Sequence, residues 1–402
     1  MSPRKPSSSI SKKKPDLPTS PDDIVPFSHS AAGHEGISTS ASGSVLIKPC
    51  TQAEIDFYQS AAGDPKHEYF YAHMPMFYGE IQLNASQEQI APIVNQSGGI
   101  APLTALQQPE QRPRTPPAPR PGSFQLAPTT TSLSVKRTSG SWKPSGGKKL
   151  QTGLAVALEN AAAGVQKPCI LDVKLGARLW DDDAPVAKRQ KLDDVAHTST
   201  SGSLGFRIAG MKVWLGEKKG AQMDHLGRLP EISQDPKHFT LDKEGYVGYD
   251  KFYGRIFDKN DVKDAFITYL GGLGEHGKLH WTNAKLVRDR LIRNLESIDF
   301  VLENEESRMY SASILMVYEG DDSAIPAALD HEKKEQNGEE SEVNGGQQDE
   351  ESGDDDDDDT IPKLCDVKLI DFAHAHWTPG QGPDENALQG VRNVIKILKE
   401  IE

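Results

Sequence analysis

The chain has 402 residues, 36% of them apolar and 26% charged, with 35 Gly and 27 Pro. That is enough chain to bury a core in two or three units, and it excludes a peptide hormone, a disulfide miniprotein and a uniformly disordered polymer. The formal net charge of −14 is local: eighteen acidic residues and two lysines lie between 319 and 359, leaving 41 acidic and 43 basic residues elsewhere, so the rest of the chain is free to bind a polyanion.

Cys50, Cys169 and Cys365 lie far apart without a CxxC spacing, which argues against a disulfide framework or a zinc site and for a reducing compartment. No apolar run approaches the ~20 residues of a membrane span. The amino terminus, MSPRKPSSSISKKKP, lacks the apolar stretch of a secretory signal. A soluble, intracellular protein is expected.

In chain order, residues 1–40 are rich in Ser, Pro, Gly and Lys and read as a disordered tail. Its Lys12–Lys14 run is either a nuclear address or a solvated basic patch. From 41 to 161 a first lobe is expected. Within it, GSVLIKP reads as a strand, TQAEIDFYQSA as a helix capped by Thr51 with Ile55 and Tyr58 on one face, and Phe77–Leu83 and Gly153–Leu158 as strands. Six prolines between 107 and 122 mark a Pro-rich insert, about 105–148.

A second lobe is expected over 162–402. It begins with a strand, CILDVKLG (Cys169–Gly176), followed by a helical segment, APVAKRQKLDDV (Ala184–Val195), and a long strand, LGFRIAGMKVWL. The clearest helical period runs from Asn283 to Glu303, with Val287, Leu291, Leu295, Ile298 and Leu302 on one face. MYSASILMVYEG reads as one core strand, forming a hairpin with KLCDVKLIDFAHA across an acidic insert, about 321–360. A connection that long points to disorder. ENALQGVRNVIKILKEI closes the chain as an amphipathic helix.

Asp172 and Lys174 lie two apart on one strand and so share a face, either as a simple salt bridge or dividing the work of holding a hydroxyl and a phosphate. Asp371 ends an apolar strand. A carboxylate there needs a donor or a cation, which leaves a capping aspartate and a divalent-metal ligand both open.

PCILDVKLG (Pro168–Gly176) matches the PxxxDxKxG signature of the inositol polyphosphate kinase family. SASILMVYEG, LIDFAH and SGSLGFRIAGMKVW are similar to further family segments. The chain resembles this family over about residues 44–402 apart from the inserts, and most resembles its fungal multikinase (arginine-metabolism regulator) branch. Ala312 and Ile314 depart from the more usual Ser and Leu.

The resemblance implies an α+β, two-lobed inositol polyphosphate kinase fold, similar to protein kinases and ATP-grasp enzymes, with ATP and Mg2+ between the lobes. On that template Lys48 holds the α- and β-phosphates with Glu54 as its ion-pair partner, Glu159 and Ala161 contact adenine through the backbone, and Asp172 holds the ribose. Asp371 is the metal ligand. Lys174 and His374 meet the inositol phosphate at the reacting end, and Lys188, Arg189, Lys191 and Lys212 bind substrate phosphates. Without that match, Lys188–Lys191 would read as a solvated basic face or a second nuclear signal.

Phosphoryl transfer between two polyanions demands positioning and neutralisation, which this cation set would supply. Flexible lysines around a small rigid polyanion would accept it in several orientations and so permit phosphorylation at several ring positions. The implied reaction converts inositol trisphosphate to the tetrakis- and pentakisphosphates in nucleus and cytoplasm. The acidic insert would reach transcription-factor partners; no direct contact with nucleic acid is expected. The alternatives are a hexakisphosphate kinase making pyrophosphates and a mainly non-catalytic nuclear scaffold. A protein kinase is disfavoured because Gly33, Gly36 and Gly43 have the wrong spacing and no HRD is present. SGGKK (Ser145–Lys149) is not a P-loop.

Overall fold

The computed structural model describes residues 17–18, 23–27, 36–83, 90–93, 153–216, 235, 238–271, 281–337 and 361–401. The Pro-rich insert, most of the amino-terminal segment and residues 338–360 lie outside the described residues.

Strands β1 (Ile24–Pro26), β2 (Ser38–Ser40) and β3 (Val45–Pro49) pair antiparallel in succession. Helix α1 (Gln52–Gly63) starts where the Thr51 side chain accepts from the Glu54 amide, and it buries Ile55, Phe57 and Tyr58. A short α2 (Glu68–Tyr71), β4 (Phe77–Leu83), β5 (Ile90–Ile93) and β6 (Leu154–Glu159) complete the first lobe. Its sheet is six-stranded, in the order β1-β2-β3-β6-β4-β5.

The second lobe begins with β7 (Pro168–Leu175), α3 (Val186–His197), α4 (Thr200–Leu204), β8 (Phe206–Trp214), β9 (Phe239–Leu241) and β10 (Tyr246–Tyr249). It continues with α5 (Tyr253–Ile256), α6 (Lys263–Gly271), α7 (Trp281–Asn304), β11 (Ser307–Met309) and β12 (Ser313–Glu319). The last elements are α8 (Ile325–Asn337), β13 (Cys365–Ile370), β14 (Ala375–Trp377) and α9 (Glu385–Lys399). The second sheet is ordered β13-β12-β7-β8-β10-β9, and β11 pairs separately with β14.

The core forms where the periodicity places it. Val287, Leu291, Leu295, Ile298 and Leu302 of α7 are all fully buried, each contributing up to about 1.5–3 kcal/mol relative to exposure. Helix α9 packs on α7 and buries Leu388, Val391, Val394 and Leu398.

Three expectations are corrected. The segment expected to be a disordered tail contains β1 and β2. A backbone ladder pairs β1 with β2, and the Thr39 hydroxyl, which donates to the Val45 carbonyl, ties β2 to β3; no apolar period marks either strand. The single strand expected over Met309–Gly320 is broken at Ser311, whose φ of 60° ends β11 and lets β12 begin in a different sheet. Residues 325–337, inside the expected disordered acidic insert, form α8. The acidic composition of the whole insert hides this local run, in which Ile325 and Ala328 are buried and Glu332 pairs with Arg290 at 2.7 Å.

Candidate active site

The two six-stranded sheets face each other across a cleft of about 780 Å³, its open mouth included. Residues two apart on a strand point the same way, so β7 presents Ile170 and Asp172 to the cleft and β12 presents Leu315 and Val317. Register confirms the shared face: Asp172 lies opposite Leu315 and Ile170 opposite Val317. The other wall is Leu46, Lys48 and Leu158, closed by Glu159, Asn160, Ala161 and Ala162 where the chain crosses between lobes. The Ala161 amide has no acceptor among the described residues.

At one end of this cleft an ion chain joins the lobes. Lys48 Nζ donates to Glu54 Oε1 at 2.8 Å and to Asp371 Oδ1 at 2.6 Å, while Lys174 Nζ donates to Asp371 Oδ2 at 3.0 Å and to the Ser311 carbonyl at 2.8 Å. Burial alone would lower the Lys48 pKa. The Asp371 and Glu54 carboxylates outweigh it and hold the ammonium well above the ordinary lysine value. Glu54, which the family resemblance implies as the partner of Lys48, is one of the two carboxylates in contact with it.

Asp371 is aimed by its backbone. It has φ 68°, in the left-handed region that Asp and Asn enter more readily than most residues. The next residue explains the turn: Phe372 is fully buried, 4.9 Å from Phe57 and 5.3 Å from Tyr58 between ring centroids. Anchoring Phe372 among the aromatic residues of α1 leaves the Asp371 carboxylate facing Lys48 and Lys174.

Beyond Lys174, α3 brings Lys188 Nζ to 3.3 Å from His374 Nε2. Burial and the adjacent Lys188 charge lower the His374 pKa, partly offset by Asp181 and Asp183. Those two carboxylates and His374 offer donor atoms within 4.8 Å of one another. Lys191 is exposed one turn along α3 from Lys188. Arg189 turns back instead, donating to the Asp182 and Ala184 carbonyls.

Lys212 is not brought to this cluster. Register places it opposite Ile170, while Lys174 lies opposite Arg207. Lys212 is instead 3.5 Å from Asp242 and 4.4 Å from the Tyr246 ring. Long-range strand pairing decides that position, and a local GMKVW motif does not contain it. Glu159 has more to do than its expected backbone contact. Its carboxylate accepts from the Met76 amide and lies 3.3 Å from Lys363 and 3.4 Å from Lys368, and these cations hold its pKa down against burial.

Sequence reasoning missed Phe27 and Ile37 in the cleft lining, although the run Ile24–Phe27 was an apolar signal inside a polar segment. It also missed Ser311 and Asn386. Asn386 Oδ1 accepts from the Ala177 and Arg178 amides at 2.9 Å each and pins the exit of β7. No local signal marks a contact between residues more than two hundred positions apart.

The family model for inositol polyphosphate kinase matches residues 155–399. The inositol polyphosphate multikinase of Saccharomyces cerevisiae is 31% identical over 393 residues, covering 92% of this chain and 96% of that protein. The chain belongs to the inositol polyphosphate kinase family. A crystal structure of the S. cerevisiae inositol phosphate multikinase with ADP and Mn2+ superposes with a TM-score of 0.53 at 25% identity, covering 89% of this chain and 98% of that one. The inositol hexakisphosphate kinase 1 of Rattus norvegicus is 27% identical over 253 residues, covering 61% of this chain and 51% of that protein.

The S. cerevisiae structure holds Mn2+ together with ADP, and the residues present here fit a divalent cation. Asp371 supplies hard carboxylate oxygens at the cleft, Asp172 lines the same space, and the set contains no thiolate that would favour a softer metal.

Proposed function

We propose that the chain transfers the γ-phosphoryl group of ATP to inositol polyphosphates, carrying the trisphosphate to the tetrakis- and pentakisphosphates as a multikinase. The observation that carries this reading is the Lys48–Asp371–Lys174 chain, which sets two cations and one carboxylate at the end of an apolar cleft bounded by both lobes. Adenine fits the apolar part of the cleft, with the backbone of Glu159 and Ala161 as its polar contacts and Asp172 holding the ribose. Lys48, kept in place by Glu54, neutralises the nucleotide phosphates. Asp371 holds Mg2+, which would offset the charge shared by the two polyanions.

Lys174, Lys188, Lys191 and His374 hold the inositol phosphate. Lys174 faces the same carboxylate as Lys48, so donor and acceptor meet there. His374, kept neutral by burial and Lys188, accepts from Lys188 through Nε2, which leaves its Nδ1–H to donate to a substrate oxygen. Arg189 supports this set from the loop side. Location in nucleus and cytoplasm, and contact of the acidic segment with transcription-factor partners, complete the proposal.

A hexakisphosphate kinase is the second reading, since that branch is also similar, but likeness to the multikinase extends along nearly the whole chain. Incubation of the purified protein with ATP and inositol trisphosphate, followed by anion-exchange separation, should give tetrakis- and then pentakisphosphate. Turnover of the hexakisphosphate alone would replace the first reading with the second.

A further inference from the structure

Helix α3 carries Lys188 and Lys191 yet has little of its own to hold it in place. Only Ala196 of its twelve residues is buried, and its N-cap, Pro185, accepts no side-chain hydrogen bond. A helix this short is marginal in water without tertiary support. Support comes from Trp180, in the loop between β7 and α3. The indole Nε1–H donates to Asp193 Oδ1 at 2.6 Å, and the Arg189 guanidinium lies 4.7 Å from the ring, so two positions of α3 are tied to one side chain.

Trp180 is in turn fixed to the body of the lobe. The Arg178 guanidinium packs 4.1 Å from its ring and 4.8 Å from the ring of Tyr310. Asn386 of α9 accepts from the Arg178 amide at 2.9 Å, and the Ser311 hydroxyl donates to the Leu179 carbonyl at 2.8 Å. A continuous path of contacts therefore runs from α9 through Asn386, Arg178 and Trp180 to α3, and ends where Lys188 meets His374.

We propose that Trp180 is a positioning residue for inositol phosphate: it holds α3 so that Lys188 and Lys191 are preorganised for the substrate phosphates. This rests on the reading of α3 as the substrate-binding helix. Two flexible lysines on a loosely held helix would have to be ordered at each binding event. Holding the helix beforehand removes that cost from substrate binding and leaves the nucleotide cleft untouched.

The test is steady-state kinetics on the full chain, varying inositol trisphosphate at saturating ATP and then the reverse. Trp180→Ala should raise the KM for inositol trisphosphate about tenfold, equivalent to about 1.4 kcal/mol, with the KM for ATP unchanged. Trp180→Phe keeps a ring for the guanidiniums but lacks the N–H donor, and should give a smaller rise. Asp193→Leu should match Trp180→Phe, and combining the two should add nothing further. An equal rise in both KM values, or no rise for inositol trisphosphate in Trp180→Phe, overturns the proposal. Lys188→Ala separates the two levels: if it leaves the inositol trisphosphate KM unchanged, the reading of α3 fails and the proposal with it. If Lys188→Ala raises that KM and Trp180→Ala does not, only the role of Trp180 is lost.

Discussion

Asp371 concentrates two opposed requirements in a single residue. Its left-handed backbone costs about 1–2 kcal/mol for a residue with a Cβ, and burial of Phe372 among Phe57, Tyr58 and Phe70 offsets that cost. Asparagine tolerates the same φ and has nearly the same shape, so Asp371→Asn keeps the backbone but takes away the carboxylate that pairs the Lys48 and Lys174 ammoniums. The variant should keep its fold at a lowered thermal midpoint and lose phosphorylation by about a thousandfold or more, measured as kcat with inositol trisphosphate. Retained catalysis would remove Asp371 from the reacting end. The motif LIDFAH marked this aspartate in the sequence; the strained backbone that aims it became visible only with Phe372 in its pocket.

Helix α9 shows how closely two elements can be fitted. A Cβ on Gly390 would stand 2.3 Å from the Gly205 carbonyl oxygen, at the turn between α4 and β8. Helix propensity alone favours Gly390→Ala by about 1 kcal/mol. The backbone contact cannot yield by a small rotation, and prising the helix away from its seat costs about 1–3 kcal/mol. A lowered thermal midpoint is therefore expected for Gly390→Ala, and a raised one would mean that the helix can shift. The amphipathic pattern of α9 was legible in ENALQGVRNVIKILKEI, but the reason for a glycine in its middle was not, because the neighbour lies 185 positions earlier in the chain. The same holds for β12, whose apolar run was plain while its break at Ser311 depends on the loop carbonyl of Leu179.

The two lobes are joined by more than the active-site ions. His73, following α2, accepts from the Leu369 amide of β13 through its carbonyl at 2.7 Å, and its ring lies 2.9 Å from the Ser297 hydroxyl of α7. Burial, with a smaller contribution from Lys368, lowers its pKa from 6.5 to about 4. The folded protein thus holds this histidine neutral where the unfolded chain would protonate it. The associated stability is fully present above pH 6.5 and is lost as pH falls towards about 4. The total is on the order of 3 kcal/mol. Urea midpoints measured across that window should fall less steeply for His73→Gln than for the unaltered protein; parallel curves would show that His73 is not the titrating group.

Most strands and long helices follow from alternation and period in the chain, because burying one face of an element requires a pattern local to that element. PCILDVKLG and LIDFAH likewise mark their aspartates and lysine through short-range spacing. Which of those charges meet is a different matter. Lys48 reaches Asp371 across 323 positions, Lys188 reaches His374 across 186, and Lys212 is carried away by its strand register. A side chain's neighbours depend on how distant strands pair and how helices seat on them, and those choices are made by the packed core as a whole.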